Sequence, residues 1–314
     1  MFAAMCVIWG VPYLLIKVAV GGVSVPVLVL ARVGLGAALL LPIALRRREL
    51  GAIKDVWPWL TLFAVVEIIM PWYALSEAER GISSSLTGLL LASVPIIVAV
   101  LSLFLRGGDR LSLIRWAGLL IGLGGVALLA GPHLVGSTAS GSTARSVAEV
   151  LFVALCYATG PLIANRKLAH VPPVAMTGVC LALASVVYAP LAALNWPSAV
   201  PSASVLLSLV GLAVVCTAAA FLIFFRLIAE VGPARASVIT YINPAIAVSL
   251  GVAVLGEHVS ATMLVAFGTI LVGSVLATRP SRRAGVDAKA AAGPVAVAVE
   301  AAPGRVGAAA TESS

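Results

Sequence analysis

The stretch YINPAIAVSLGVAVLGE, residues 241–257, repeats an earlier part of the chain, ASVPIIVAVLSLFLRGGD, residues 92–109. Each has a proline about one third of the way along, then an aliphatic run, then glycine and an acidic residue. A second match joins CVIWGVPYLLIK (6–17) to ALCYATGPLIAN (154–165), and both matches have an offset of 148 to 149 residues. Because the two offsets agree, the sequence indicates an internal duplication.

The composition predicts that the repeated halves lie in a membrane. Of the 314 residues, 61% are hydrophobic and 10% are charged, whereas a soluble domain has about 25% charged residues. A helix needs about 20 apolar residues to cross the hydrocarbon core, and isolated strands cannot satisfy their backbone there. We therefore predict ten transmembrane helices, at 2–20, 25–45, 57–76, 83–105, 114–131, 147–165, 173–194, 204–225, 236–255 and 261–278.

The number of helices in each half determines how the halves are oriented. Five crossings is an odd number, so the second half enters the membrane in the opposite sense to the first. Inverted repeats of this kind are typical of secondary transporters. We predict an all-α integral membrane protein, with ten transmembrane helices arranged as two inverted-topology five-helix repeats around a central cavity. The predicted boundaries are 1–131 for the first repeat, 132–146 for a linker, 147–279 for the second repeat and 280–314 for a disordered cytoplasmic tail.

Basic residues alternate between the predicted loops. Sixteen of the 20 Lys and Arg residues lie in four alternate loops and the tail, whereas only Arg80 and Arg145 lie in the intervening loops. Basic loops stay in the cytoplasm, so we expect a multi-pass protein of the inner (plasma) membrane with both termini cytoplasmic. The net charge of +8 then reflects topology, and no nucleic-acid partner is expected.

At this point the sequence resembles EamA-type members of the drug/metabolite transporter superfamily, over about residues 1–280. The resemblance rests on an ordered set of short motifs and on the repeat. These are IWG (8–10) with Lys17, LAR (30–32), YAL (73–75), the proline-centred fourth and ninth helices, LGEH (255–258) and the Gly-rich fifth and tenth helices.

The resemblance implies a ten-helix fold with a central cavity that exports small metabolites or drugs. Two features depart from the family pattern. RGGD (106–109) stands in the first half where the second half has LGE, and Glu67 lies inside the third helix.

Three ionisable residues lie within the predicted helices, namely Lys17, Arg32 and Glu67. Burying such groups in a membrane costs about 2.5–3.5 kcal/mol each, so they need a partner or a function. Depths along antiparallel helices allow Arg32 and Glu67 to form an ion pair, while Lys17 reaches toward the surface. Three interpretations stay open for Glu67: a static ion pair, a titrating group that couples transport to protons, and a carboxylate that faces a solvated cavity without coupling.

Prolines within helices are a second candidate feature. Pro95 and Pro244 occupy matching positions in the two repeats and are predicted to kink their helices, because proline removes a backbone donor. Asn243 precedes Pro244 and offers an amide to the cavity.

Aromatic residues complete the candidate cavity. Trp9 and Tyr157 are related by the repeat and can face a flat or cationic solute, and Tyr13 and Tyr241 lie on helices of the same set. By contrast, tryptophans near the helix ends are predicted to be interface anchors, namely Trp57, Trp59, Trp72 and Trp196.

Other kinds of chemistry have no motif in the sequence. There is no P-loop, HExxH, GxSxG or dinucleotide fingerprint, so we expect no enzyme, no cofactor, no metal site and no direct use of ATP. The four cysteines lie in apolar runs. The leading prediction is a secondary transporter that exports a small polar, amino-acid-like metabolite by alternating access, as a monomer or homodimer. The alternatives are efflux of hydrophobic cations and, from another class, a non-transporting scaffold or enzyme.

Overall fold

The computed structural model describes residues 1–105, 112–134, 141–232, 236 and 238–278. These residues form helices and short connections, with no β-strand among them. Eight of the helices are long and apolar enough to cross a membrane, and two further apolar helices have 17 residues each. The whole of the predicted tail, 280–314, and residues 135–140 of the predicted linker lie outside the described residues.

The helices are numbered here in chain order, and each of the ten predicted runs overlaps one of them. They are α1 (Phe2–Ala19), α2 (Val25–Arg46), α3 (Glu49–Gly81), α4 (Ser84–Leu91 and Val94–Leu105), α5 (Leu113–Leu134), α6 (Gly141–Lys167), α7 (Pro173–Leu194), α8 (Ala203–Val231), α9 (Ile239–Leu255) and α10 (Ala261–Ala277).

Several helices are longer than predicted. Helix α3 begins with a 3₁₀ segment at Glu49 and continues to Gly81, whereas the predicted run was 57–76. The polar segment after Ser76 is part of the helix. Helices α5 and α6 enter the predicted linker from both sides, to Leu134 and from Gly141, while residues 135–140 are not described.

Two helices contain π-helical segments, Val65–Ile69 in α3 and Gly211–Ala219 in α8. A π-helix has i→i+5 hydrogen bonds and often marks a functional position. Adding the repeat offset of 148 to Val65 gives a position within the second segment. Both segments line the same central cavity, as described below.

The most extensive helix packing joins helices at corresponding positions of the two predicted repeats. Helix α5 packs along α10, and α2 packs along α7. Between α5 and α10, a Cβ atom added to Gly273 would meet the backbone of Gly122. Small residues that let backbones touch are typical of helix contacts in lipid.

The core lies between the two sets of helices, where large apolar side chains such as Leu28, Leu90 and Leu212 are completely buried. The periphery is also apolar. Large side chains there include Leu113, Leu194 and Leu207, which are 87%, 83% and 71% exposed. An apolar exterior of this kind is suited to lipid and not to water.

Candidate functional site

A cavity of about 330 Å³ lies in the interior, at the level of the π-helical segments. One basic and one acidic side chain line it, Arg32 and Glu67. Most of the remaining wall is apolar or aromatic. The aromatic residues are Trp9, Tyr13, Trp72, Tyr157, Phe221 and Phe224.

Seven of the residues predicted from the sequence are brought together in this wall. They are Trp9, Tyr13, Arg32, Glu67, Tyr157, Asn243 and Pro244. Three others, Lys17, Tyr241 and Pro95, lie elsewhere and are described separately below.

The Arg32 guanidinium is held in place by two neighbouring side chains, Trp72 and Thr217. Its guanidinium carbon lies 3.6 Å from the centroid of the Trp72 ring. Its Nε donates to Thr217 Oγ1 at 3.0 Å, and Thr217 in turn donates to Leu212 O at 2.8 Å. That last bond spans five residues within the π segment of α8. Contacts from α3 and α8 therefore hold the guanidinium in place.

The predicted ion pair between Arg32 and Glu67 is not formed. None of the ion pairs among the described residues includes either side chain. The Glu67 carboxylate lies instead against α6, where a Cβ atom on Gly160 would overlap Glu67 Oε2. That oxygen is buried and has no hydrogen-bond partner within the described parts of the chain. The structure therefore gives neither side chain the other as a partner.

Asn243 and Pro244 connect α9 to the cavity. With its nitrogen as donor, the Asn243 amide bonds Ile239 O at 3.0 Å and Cys6 O at 3.2 Å. The second bond crosses to α1. Pro244 is buried within the continuous helix α9, so this proline lines the wall without ending the helix.

The aromatic residues form a wall between α1 and α8. The Trp9 ring lies 4.5 Å from the Phe224 ring centroid, at an interplanar angle of 50°, and 6.1 Å from the Phe221 ring centroid. Trp9 therefore packs on phenylalanines of α8 on one side and lines the cavity on the other.

The three predicted residues outside the cavity have other positions. Lys17 Nζ donates to the carbonyls of Glu79 and Ile82, at 2.5 and 2.6 Å, and so caps the C-terminal end of α3. Tyr241 Oη lies 3.5 Å from Thr278 Oγ1. Pro95 stands in the first turn of the second segment of α4, directly after the turn at 92–93.

Glu257, from the LGEH motif, makes a dense set of contacts at the start of α4. Its Oε1 accepts from the backbone N and Oγ of Ser84, and its Oε2 accepts from the backbone N and Oγ of Ser85, at 2.5–3.0 Å. Burial opposes ionisation of Glu257, but these four bonds outweigh it and lower its pKa. A carboxylate at a helix N-terminus is also favoured by the helix dipole.

Sequence reasoning missed two buried residues of α3. Trp72 was predicted to be an interface anchor, and this is wrong, because it is only 5% exposed and covers Arg32. Glu79 is completely buried, and neither carboxylate oxygen has a hydrogen-bond partner among the residues described. Ending the helix near Ser76 placed both residues at or beyond the membrane surface. The spacing of Trp72, Leu75 and Glu79, which follows one helix face, was the available signal.

No group of three or more His, Cys, Asp or Glu side chains suited to a metal occurs within the described ranges. The four cysteines are buried and unpaired with one another. The cavity wall itself carries a guanidinium, a carboxylate, an amide and aromatic rings.

Comparisons with known proteins agree with this architecture. The model of the EamA-like transporter family matches residues 1–131 and 146–279. The chain is 27% identical over 284 residues to the uncharacterized inner membrane transporter YedA of Escherichia coli K12, covering 88% of each chain. It is 32% identical over 134 residues to the uncharacterized transporter sll0355 of Synechocystis, covering 39% of this chain and 40% of that protein.

A solved crystal structure has a similar fold. It aligns with a TM-score of 0.63 and 24% identity, covering 90% of this chain and 96% of the other. The predicted resemblance is confirmed by the family match, which covers nearly all of the chain outside the tail. The chain belongs to the EamA-like transporter family.

Proposed function

We propose that this protein is a secondary transporter that exports a small polar, amino-acid-like metabolite by alternating access. The observation that carries the proposal is the pair of unlinked opposite charges, Arg32 and Glu67, in one interior cavity. Ionisable groups within a membrane protein are costly and mark a solute or ion path. A zwitterionic solute supplies one charge for each of them, and a volume of about 330 Å³ is at the small end of ligand pockets.

The inverted repeat is part of the same proposal. The family model matches the chain twice, on either side of the midpoint. The π segments of α3 and α8 occupy related positions, and related helices pack together in the pairs α2 with α7 and α5 with α10. These features support two related halves that exchange roles during transport.

The turn between α3 and α4 is the proposed outer closure of the cavity. Lys17 holds the end of α3 and Glu257 holds the start of α4. The contact of Glu257 joins the second repeat to the first. Because it consists of hydrogen bonds at one end of the helices, it can open while the apolar core stays packed.

Glu67 is the proposed proton-coupling residue. It lines the cavity and has no cationic partner in the described part of the structure. Solute and proton compete for this carboxylate, because binding of one disfavours binding of the other. This competition links export of the solute to movement of protons.

The proposed location is the inner membrane, with both termini in the cytoplasm. The Escherichia coli relative is named an inner membrane transporter, and the alternation of basic loops favours this orientation. Ten helices are enough to enclose a path, so a monomer is sufficient and a homodimer is compatible with it.

Efflux of hydrophobic cations is the second candidate. The six aromatic residues in the wall favour it, because aromatic faces attract cations. Arg32 opposes it, since a like charge in the cavity raises the barrier to entry. We therefore rank the polar metabolite first.

Export is tested by mass spectrometry of the growth medium. Cells that overproduce the protein are expected to enrich a small set of amino-acid-like compounds relative to cells with an empty vector. The purified protein in liposomes is then expected to release the same compounds. Enrichment of organic cations instead would favour the second candidate, and no flux in liposomes would favour a non-transporting role.

A further inference from the structure

The geometry points to a carboxylate-binding subsite on the edge of the Arg32 guanidinium, with Trp72 and Thr217 as the residues that orient it. This inference rests on the proposed function and specifies the substrate class: the solute carries a free carboxylate that faces Arg32.

Arg32 is fixed on two sides. The Trp72 ring covers one face of the guanidinium at 3.6 Å, and Thr217 accepts from Nε at 3.0 Å. Thr217 is itself completely buried and bonded to Leu212 O. These contacts leave the fork of the two terminal nitrogens as the unused side of the group.

The fork has no protein partner. Arg32 is only 8% exposed, yet across the described residues its terminal nitrogens have neither an ion pair nor a hydrogen bond. An arginine keeps its charge in a protein, and a buried charge without a partner is strongly unfavourable. Since Arg32 lines the cavity, a cavity solute is positioned to supply that partner.

The shape and charge of the cavity favour a carboxylate. Two parallel N–H donors match the two oxygens of a carboxylate or a phosphate. Glu67 lines the same cavity, and in its ionised form it repels a second negative charge, which disfavours a phosphate dianion. It attracts an ammonium group, so a solute with one carboxylate and one ammonium balances both side chains.

The test compares acids with their carboxamides in the wild-type protein. Liposomes containing the protein are loaded with an equal mixture of the twenty amino acids and their carboxamides, and release is measured by mass spectrometry against protein-free liposomes. The expected result is that one or more acids leave about ten- to a hundredfold faster than the matching carboxamides, the range for losing a hydrogen bond to a charged group.

Variants then assign the preference to the guanidinium. Arg32→Lys keeps the charge and loses the fork, so the preference for the acid is expected to fall while some release remains. Arg32→Gln is expected to abolish the preference. Arg145→Lys is the matched control, because Arg145 is an exposed residue that pairs with Glu149 on the surface.

Each outcome decides between the claims. Equal release of acids and carboxamides overturns the subsite and leaves the export of small polar solutes intact. A preference for acids that is unchanged in Arg32→Lys and Arg32→Gln also overturns it. Release of neither class contradicts the proposed function and, with it, the subsite. A variant that fails to fold does not affect the comparison in the wild-type protein.

Discussion

Glu257 Oε2 accepts a hydrogen bond of 2.5 Å from Ser85 Oγ, across 172 residues of sequence. Three more hydrogen bonds join this carboxylate to Ser84 and Ser85. The second half of the chain is thereby held to the first at the start of α4. Four bonds to one ionised group form a contact that a single substitution weakens.

Glu257→Gln is expected to loosen the proposed outer closure. An amide accepts through only one oxygen and lacks the charge that favours a helix N-terminus. With the native cysteines replaced by alanine and Leu75→Cys as a reporter in the cavity wall, an external membrane-impermeant maleimide should react several-fold faster. The control is His258→Gln, at an exposed neighbouring residue. Equal labelling rates in the reporter protein and in its Glu257→Gln and His258→Gln variants would contradict the closure.

The pH dependence of this contact follows from the lowered pKa of Glu257. A lowered pKa means that the contact contributes fully above the ordinary value of 4.5 and is lost as the pH falls through the lowered pKa. Labelling of the Leu75→Cys reporter, in the same cysteine-replaced protein with Glu257 intact, should therefore be constant from about pH 5 to pH 8, after correction for maleimide reactivity. A rate that changes within that window would show that another group controls the closure.

Glu67→Gln is expected to uncouple transport from the proton gradient. The amide cannot release a proton, so release driven by a pH gradient should be lost while exchange of substrate down its own gradient persists. Glu77→Gln on the same helix is the control, because Glu77 pairs only with Arg80 among the charged residues described. Normal gradient-driven transport by Glu67→Gln at every external pH would leave Glu67 without a coupling role.

Gly160→Ala is expected to displace the Glu67 carboxylate. The added methyl group would overlap Glu67 Oε2, and such overpacking costs about 1–3 kcal/mol. Both the thermal stability and the transport rate should fall. Gly124→Ala, where nothing lies within 4 Å of the new Cβ, should change neither by much. If the two variants behave alike, the side chain of Glu67 moves aside without consequence.

Thr217→Val is expected to weaken substrate binding while leaving the protein in the membrane. Arg32 Nε loses its acceptor, and an unsatisfied buried donor costs about 1–3 kcal/mol. The measurement is the apparent KM, which should rise about tenfold or more if the orientation of Arg32 matters for binding. Thr269→Val is the control, since its hydroxyl donates to Val265 O on the exposed side of α10.

The orientation in the membrane is tested with fusion reporters. Alkaline phosphatase joined within residues 135–140 should be active, because that connection is proposed to face outward. Green fluorescent protein joined after Thr278 should fluoresce in the cytoplasm. The opposite pattern would invert the proposed topology, and with it the direction assigned to the closure at Glu257.

The sequence by itself determined the class of protein and much of the cavity wall. Apolar runs of about 20 residues have one stable form in lipid, which is the helix, so the helices could be located from composition. The repeat pointed to Trp9, Tyr157 and Pro244, which line the cavity together with Asn243 beside Pro244, and to Pro95, which does not line it. Intramembrane charges pointed to Arg32 and Glu67 because burying them needs a reason.

The tertiary structure decided the partners of those residues. Depth along a helix could not distinguish an Arg32–Glu67 pair from Arg32 on Trp72 with Glu67 on Gly160, because the rotation of each helix is set by packing with its neighbours. Packing also explains why Trp72 and Glu79 are buried. Helix α3 continues past Ser76 to Gly81, so both residues lie on a helix that packs against its neighbours. Packing likewise explains Glu257, whose hydrogen-bond partners lie 172 and 173 residues away and meet it only in the folded chain.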